Sequence, residues 1–371
     1  MNGPQENHQE PNDPGVVVAA TWLNRVGDRI LGVRPHGVDV YFLPGGIPEV
    51  GESLVDAVAR EVFEEVGLVI APNDLKEVAR VEDDAYGRPG MRVQLICFDG
   101  PSSGTPAPGA DEIAEIKWLD SGDWHRFAPA VRKALAQVRD HTASRASEIR
   151  LIASAWDDEY ATGRYVHEPP VAFADEILEV ASSHGLAGAR GLYIGCGNGR
   201  NFLPLMSGGL DLQGIDISAT AIAQLRKRLP DLANQLHVCQ VGDLAEGLTF
   251  PLVIGIQVFQ HGNRTQAHRH IRAAQSRTSQ AGLFCLRVNA VGTDIWPDHH
   301  VTEQNEDGGL TVRYTAGPKA GLDVHFFSAD ELHQLFASDF ESVSPLKAVA
   351  HQRESSELGH WVQWEGIWRR R

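Results

Sequence analysis

Three glutamates, Glu61, Glu64 and Glu65, fall within five positions of the stretch REVFEEVGL, residues 60–68. On a helix, positions three and four apart share a face, so these carboxylates converge. Like charges at that spacing repel and cost helix stability. Two arrangements relieve them: a solvated acidic face, or a divalent cation that turns the repulsion into ligation. Mg²⁺ is hard, takes oxygen ligands, and is commonly held by a few carboxylates together with substrate phosphates. A second group lies at GCGNGRN, 195–201, after a strand-like run and ahead of a helical pattern. Glycines there make a tight turn, or let the backbone approach a ligand closely. Asp216 ends the next strand-like run, 17 residues after Gly199, where an acid can bind ribose hydroxyls. Gly242-Asp243 ends the run after that.

The elements that must position these residues are legible around them. Val55, Val58, Val62 and Val66 recur at helical spacing and face a core. Ser53 is the expected N-cap, with Asp56 three residues on, and Gly67 the C-terminal stop. VVVAATWLN, RILGVRP, DVYFLPG, KEVARVEDD, RVQLICFD and EIKWL read as strands, and APAVRKALAQVRDH as a helix closing a first domain. From residue 187 the pattern alternates strand and helix: GLYIG, a helix from Asn198 to Met206, LQGIDIS, SATAIAQLRKRL capped by Ser218, HVCQVGD, LVIGIQVF, a helix over 265–278, and GLFCLRV. That is the rhythm of a doubly wound parallel sheet. It ends with the helix FSADELHQLF and two strands, SVSPLKAVAHQ and GHWVQWEGIWR, paired as a hairpin.

The glutamates belong to a longer pattern. From Gly46 the chain runs Gly, five residues, Glu52, seven residues, Arg60-Glu61, Val62, Phe63, Glu64-Glu65, Val66, Gly67, Leu68. This resembles the signature of Nudix hydrolases at every specified position. The resemblance covers roughly residues 16–140 and implies an α/β/α sandwich with a mixed sheet. It implies Mg²⁺ or Mn²⁺ on Glu61, Glu64, Glu65 and the Gly45 carbonyl, with Arg60 orienting the glutamates and Glu52 beside the helix start. The implied substrate is a nucleoside diphosphate linked to a further group. Glu112 is the expected additional acid, with Glu115 as the alternative. Substrate choice is expected in loops such as 84–92 and 101–112.

The spacing Gly195-x-Gly197-x-Gly199, with the closing antiparallel strands, resembles class I S-adenosylmethionine-dependent methyltransferases over roughly 153–371. The resemblance implies a Rossmann-like sheet with an antiparallel end hairpin. Gly195, Gly197 and Gly199 would line the methionine part of S-adenosylmethionine. Asp216 would hold the ribose, and Asp243 with Leu244 the adenine. Gln257 to His261, QVFQH, would touch cofactor and acceptor. The family carries an acid two residues before the first glycine, where this chain has Tyr193. On the acceptor side His261 ranks ahead of His299 and His300. Trp361, Trp364 and Trp368 read as packing of the hairpin.

The expected organisation is a disordered tail over 1–15, a Nudix domain over 16–140, a linker over 141–155 and a methyltransferase domain over 156–371. Net charge is −16, with 13 basic against 23 acidic residues over 1–140 and 20 against 26 over 141–371. Neither part offers the basic footprint of a strong nucleic-acid binder. No apolar run reaches the length of a membrane span, and the polar, Pro-rich start is no secretory signal. Cys97, Cys196, Cys239 and Cys285 are scattered without zinc spacing and read as reduced, mostly buried thiols of a cytoplasmic protein. The leading expectation is a bifunctional enzyme acting on a small nucleotide and a small methyl acceptor. The alternatives are a nucleotide-sensing Nudix module regulating the methyltransferase, and RNA as a shared substrate. The sequence leaves the oligomeric state open.

Overall fold

The computed structural model describes residues 15–109, 112–317, 319–353 and 359–371, without the side chains of 141–145. The tail expected over 1–15 lies, but for Gly15, outside the described residues. The chain divides into two compact units, Met1–Ser147 and Glu148–Arg371.

In the first unit, β1 (Val16–Trp22), β2 (Arg25–Val26), β3 (Arg29–Pro35), β4 (Gly45–Gly46), α1 (Leu54–Val66), β5 (Lys76–Asp84), β6 (Arg92–Asp99) and β7 (Ile113–Leu119) precede α2 (Pro129–Ala161). One sheet has the order β4-β1-β6-β5, with β1 and β6 parallel and the other pairs antiparallel. The second is β2-β3-β7, antiparallel throughout. Successive side chains of a strand face opposite ways. Ile96 and Phe98 of β6 therefore enter a core with Val58, Val62 and Val66 of α1, while Leu95 and Cys97 enter another with Val131 and Leu135 of α2. Ser53 caps α1 by accepting from the Asp56 N–H, and Gly67 ends it at φ +68°.

DVYFLPG is not a strand. Tyr41 and Phe42 form single bridges to different neighbours, Phe127 and Val33. Their hydrogen bonds leave in opposite directions after one residue each, to Arg126 and Ala128 from Tyr41 and to Val33 from Phe42. Pro44, with no N–H, then cannot extend a ladder. The helix begun by APAVRKALAQVRDH continues through the segment expected as a linker. No Gly or Pro interrupts the chain from 130 to 161, and the division at Ser147/Glu148 falls inside α2.

The second unit continues with α3 (Phe173–Ser183), β8 (Arg190–Ile194), α4 (Phe202–Ser207), β9 (Asp211–Asp216), α5 (Ala219–Arg228), β10 (Leu236–Val238), β11 (Phe250–Ile256), α6 (Arg264–Gln275), β12 (Thr278–Asn289), β13 (His299–Gln304), β14 (Leu310–Tyr314), β15 (Asp323–Phe326), α7 (Ala329–Phe336), β16 (Phe340–Gln352) and β17 (His360–Arg370). The main sheet runs β10-β9-β8-β11-β12-β17-β16. The first five strands are parallel and the last two antiparallel. Leu252 and Ile254 of β11 face a core with α3, α4 and α5, and Val253 faces one with α6 and α7. The fold is thus doubly wound. β17 sits between β12 and β16, and its Trp368 stacks on Phe336 at 4.0 Å. The antiparallel sheet β13-β14-β15 is not foreseen by the sequence reading. Its first strand, HHVTEQ, is polar and mostly exposed, without the alternation that marks a strand. Among the described residues no helix is long and apolar enough to cross a membrane.

Candidate active sites

In the first unit, helix α1 and the short strand β4 bring the glutamates and Gly45 together. The Gly45 N–H donates to Glu65 at 2.8 Å. Gly45 has φ +140°, and a Cβ there would lie 2.3 Å from the Ala20 carbonyl oxygen, so only glycine fits. Burial pushes the Glu65 carboxyl up to about 8, the Gly45 N–H opposes it, and the charges of Glu61, Glu112 and Glu64 raise it further. Three carboxylates thus act on Glu65. Arg60 holds two of them and a neighbour: it donates twice to Glu52 at 2.9 Å, to Glu61 at 2.8 Å and to Glu64 at 3.3 Å. The Arg60 guanidinium and the Glu49 N–H keep Glu52 at about 2.

Glu115 is engaged elsewhere, with two bonds from Arg34 at 2.9 and 3.1 Å. Glu112 is the acid that acts on Glu65. Oxygen donors carrying excess negative charge suit a hard dication such as Mg²⁺ or Mn²⁺. Gly46 sits against this cluster. A Cβ there would lie 2.4 Å from the carboxyl carbon of Glu61, and no positive φ strains the backbone. Gly46→Ala is therefore expected to fold normally but to displace the Glu61 carboxylate. Hydrolysis should fall about 10–100-fold, as for a ligand whose support is disturbed, with an unchanged melting temperature as the control.

In the second unit, the turn between β8 and α4 carries Gly195, Gly197 and Gly199 at φ +70°, +54° and +103°. Added Cβ atoms would strike Val258 at 2.6 Å, the Tyr160 hydroxyl at 2.5 Å and Leu225 at 2.7 Å respectively. Asp216 ends β9 beneath this turn and accepts from the Gly197 N–H at 2.8 Å and the Ser218 N–H at 2.9 Å. Burial pushes its carboxyl up, and these N–H groups pull it back. The helix expected from Asn198 is shorter, starting at Phe202. Asn198 is buried, its amide N–H₂ bonds to the Arg164 carbonyl and to Gln224, and its carbonyl oxygen has no partner. That orphan acceptor, the glycine cradle and the buried acid fit a cofactor with an ammonium group and ribose hydroxyls.

The third parallel strand ends at Val238, short of the expected HVCQVGD. Gly242-Asp243 instead lies in a 3₁₀ turn, because the Asp243 carboxylate accepts from the Gln240 N–H at 2.8 Å and closes a capping box. Leu244 packs partly against the second core. After β11, Gln257 holds φ +58°, a strained value for a residue with a side chain. His261 lies edge-on to Trp156 at 5.2 Å, and Lys319 sits 5.1 Å over the same indole. Burial, then Lys319 and His270, push His261 down to about 3, so it is neutral at neutral pH. Tyr193, at the position of the family's acid, is buried against Phe202. His299 Nδ1 lies 3.1 Å from the Pro297 carbonyl, to which it can only donate, and His300 is exposed.

A profile of the NUDIX domain matches residues 13–138, and one of the methyltransferase domain matches residues 192–278. The chain carries a NUDIX domain followed by a methyltransferase domain. Both are enzyme domains. The chain is 28% identical over 117 residues to the NAD-capped RNA hydrolase NudC of Vibrio atlanticus (strain LGP32), covering 31% of this chain and 40% of that protein. It is 29% identical over 119 residues to a MutT-like protein of Streptomyces ambofaciens, covering 32% of this chain and 71% of that one. Among solved structures, magnesium protoporphyrin IX methyltransferase from Synechocystis PCC 6803 aligns with 60% of this chain and 97% of its own at 13% identity and a TM-score of 0.41.

The sequence reading missed the part that the end of α2 plays in the methyltransferase unit. Asp157 accepts from the Ser218 hydroxyl at 2.6 Å and the Thr220 N–H at 2.8 Å, and the Tyr160 carbonyl accepts from Gln224 at 2.9 Å. Trp156 and Tyr160 stand four apart, on one face of a helix. That spacing was the available signal, but a pair of aromatics in a polar stretch reads equally well as ordinary packing.

Proposed function

We propose that the protein is bifunctional: a metal-dependent hydrolase of a nucleoside diphosphate bearing a further group, a nucleoside triphosphate first, joined to an S-adenosylmethionine-dependent methyltransferase of small molecules. The observation that carries the hydrolase is Glu65, half-buried, under the charges of Glu61, Glu112 and Glu64 and bonded to the Gly45 N–H. In this reading Glu61, Glu64, Glu65 and the Gly45 carbonyl hold Mg²⁺ or Mn²⁺. The cation neutralises the phosphoanhydride and lowers the pKa of an attacking water. Arg60 fixes the ligands through its bonds to Glu61 and Glu64, and Glu112 completes the acidic ring.

In the methyltransferase, the 195–199 turn, Asn198 and Asp216 seat the cofactor, with Asp243, Leu244 and Gln257 at its edge. S-adenosylmethionine supplies an electrophilic methyl group when bound. A histidine held at about 3 is a poor base, so His261 lines and orients the acceptor instead of deprotonating it. Alignment and exclusion of water carry the transfer. The rate of methyl transfer is accordingly expected to show no inflection from His261 near pH 6.5. A profile with such an inflection, abolished in His261→Asn, would restore the histidine as base. Free cysteines and the acidic charge suit a cytoplasmic protein working on small substrates.

The test is a panel of nucleoside triphosphates, dinucleoside polyphosphates, nucleotide sugars and NAD with Mg²⁺. NAD-capped RNA joins the panel because of the likeness to NudC. Turnover of one class, absent without metal, supports the reading. Binding of a nucleotide without turnover would favour a sensing module.

A further inference from the structure

The second unit holds another polar cluster, which neither proposed site uses. His268 on α6, His325 on β15 and Glu331 in the first turn of α7 bring three ligand atoms within 4.8 Å of one another. His325 and Glu331 are fully buried, and the His268 side chain is 26% exposed. His325 Nε2 lies 3.0 and 3.1 Å from the two Glu331 oxygens, and His268 Nε2 contacts the same Oε1.

The bonds behind His325 determine what these nitrogens carry. Thr311 Oγ1 lies 2.8 Å from the Glu303 carboxylate and 2.9 Å from His325 Nδ1. An ionised carboxylate only accepts, so the single hydroxyl proton of Thr311 goes to Glu303. The Thr311 oxygen must then accept from His325, which places a proton on Nδ1. In a neutral imidazole that leaves Nε2 as a bare lone pair facing a carboxylate. Two buried acceptors in contact require a positive charge between them, either a second ring proton or a metal ion. The surrounding charges weigh on the choice. Glu303, Asp307 and Glu331 meet one cation, Arg264, which donates from Nε to Glu331 at 2.9 Å, pairs with Asp307, and gives its backbone N–H to Glu303 at 3.1 Å. With neutral histidines, three carboxylates against one guanidinium leave two negative charges, which one dication cancels.

We propose that His268 Nε2, His325 Nε2 and the Glu331 carboxylate bind a divalent first-row transition metal of the zinc class. Imidazole and carboxylate suit such an ion, and three protein ligands with a fourth position open to water form a known zinc arrangement. The partly exposed side of His268 supplies the opening. Zn–N and Zn–O bonds of about 2.0–2.1 Å place tetrahedral ligands roughly 3.3 Å apart, close to the His325–Glu331 separations, while His268 and Glu331, in closer contact, move apart to admit the ion. The chain from His325 Nδ1 through Thr311 to Glu303 is the support that fixes a ligating tautomer. The ion ties β15 to α6 and α7. Because Val324, beside His325, bridges to His261, it also braces the wall that carries His261.

Metal analysis of the full chain after gel filtration, and Zn²⁺ titration of chelator-stripped protein, test the site. One equivalent per chain is expected, kept in Glu64→Gln and lost in His268→Gln. Wild-type protein that neither carries nor takes up zinc overturns the proposal in favour of doubly protonated histidines. So does zinc that is lost in Glu64→Gln and kept in His268→Gln. Should His268→Gln fail to fold, X-ray absorption on the zinc-loaded wild type decides: two imidazole nitrogens around zinc are expected, and an all-oxygen shell excludes this site.

Discussion

Glu64→Gln is expected to lower the hydrolysis rate at least about a thousandfold, equivalent to ~4 kcal/mol of transition-state stabilisation. The substitution keeps the side chain's size and removes its charge. Glu64 has a side chain 57% exposed and accepts only a long 3.3 Å bond from Arg60, so the fold has little to lose. Arg60 retains Glu52 and Glu61 as partners. What disappears is one of the negative charges that act on Glu65, and with it one oxygen of the proposed metal site. The effect should appear as weakened Mg²⁺ dependence together with lost turnover, read by phosphate or pyrophosphate release. Unchanged turnover would remove Glu64 from the proposed metal site. Binding of S-adenosylmethionine, measured on the same variant, should not change, since the two units have separate cores.

The sequence carried the local devices of both sites because they are short-range. Ser53, Gly67 and the valine spacing fix α1 within one continuous stretch, and the positive φ of Gly195, Gly197 and Gly199 is a property of single residues. Strands with a continuous apolar run, such as RILGVRP and RVQLICFD, also ended where their patterns end. What was not legible depends on partners distant in the chain. Tyr41 and Phe42 look like a strand until their hydrogen bonds go to different neighbours. Gly242-Asp243 looks like a strand end until Asp243 turns back on Gln240. Glu112 and Glu115 are equivalent by spacing, and only Arg34, some 80 positions away, distinguishes them by engaging Glu115. The His268, His325 and Glu331 group is spread over three elements separated by a sheet whose first strand has no apolar pattern.

Asp216→Asn is expected to weaken S-adenosylmethionine binding about 100-fold or more. The two carboxylate oxygens of Asp216 already accept from two fixed N–H donors, Gly197 above and Ser218 at the start of α5. In asparagine one of those oxygens becomes an N–H₂ group. Whichever way the amide turns, a donor then faces a donor, so either the glycine turn or the helix cap must shift. The same carboxylate is the acid proposed to hold the ribose hydroxyls. A bond to a charged acceptor contributes about 1.5–3 kcal/mol, and losing one or two such bonds amounts to at least about tenfold to a hundredfold in affinity at 1.4 kcal/mol per decade. Displacement of the turn adds to that loss. Calorimetric titration with S-adenosylmethionine or its demethylated product reads the change directly. Hydrolysis by the NUDIX domain, measured on the same preparation, should stay within about twofold of wild type, since the two units have separate cores. A variant that binds the cofactor normally would mean that Asp216 serves only to hold the turn, and would shift the ribose contact to another group on the carboxyl edge of the sheet. A variant that loses both activities would instead show that the loss arises from unfolding that spreads along α2, the helix in which the two units divide.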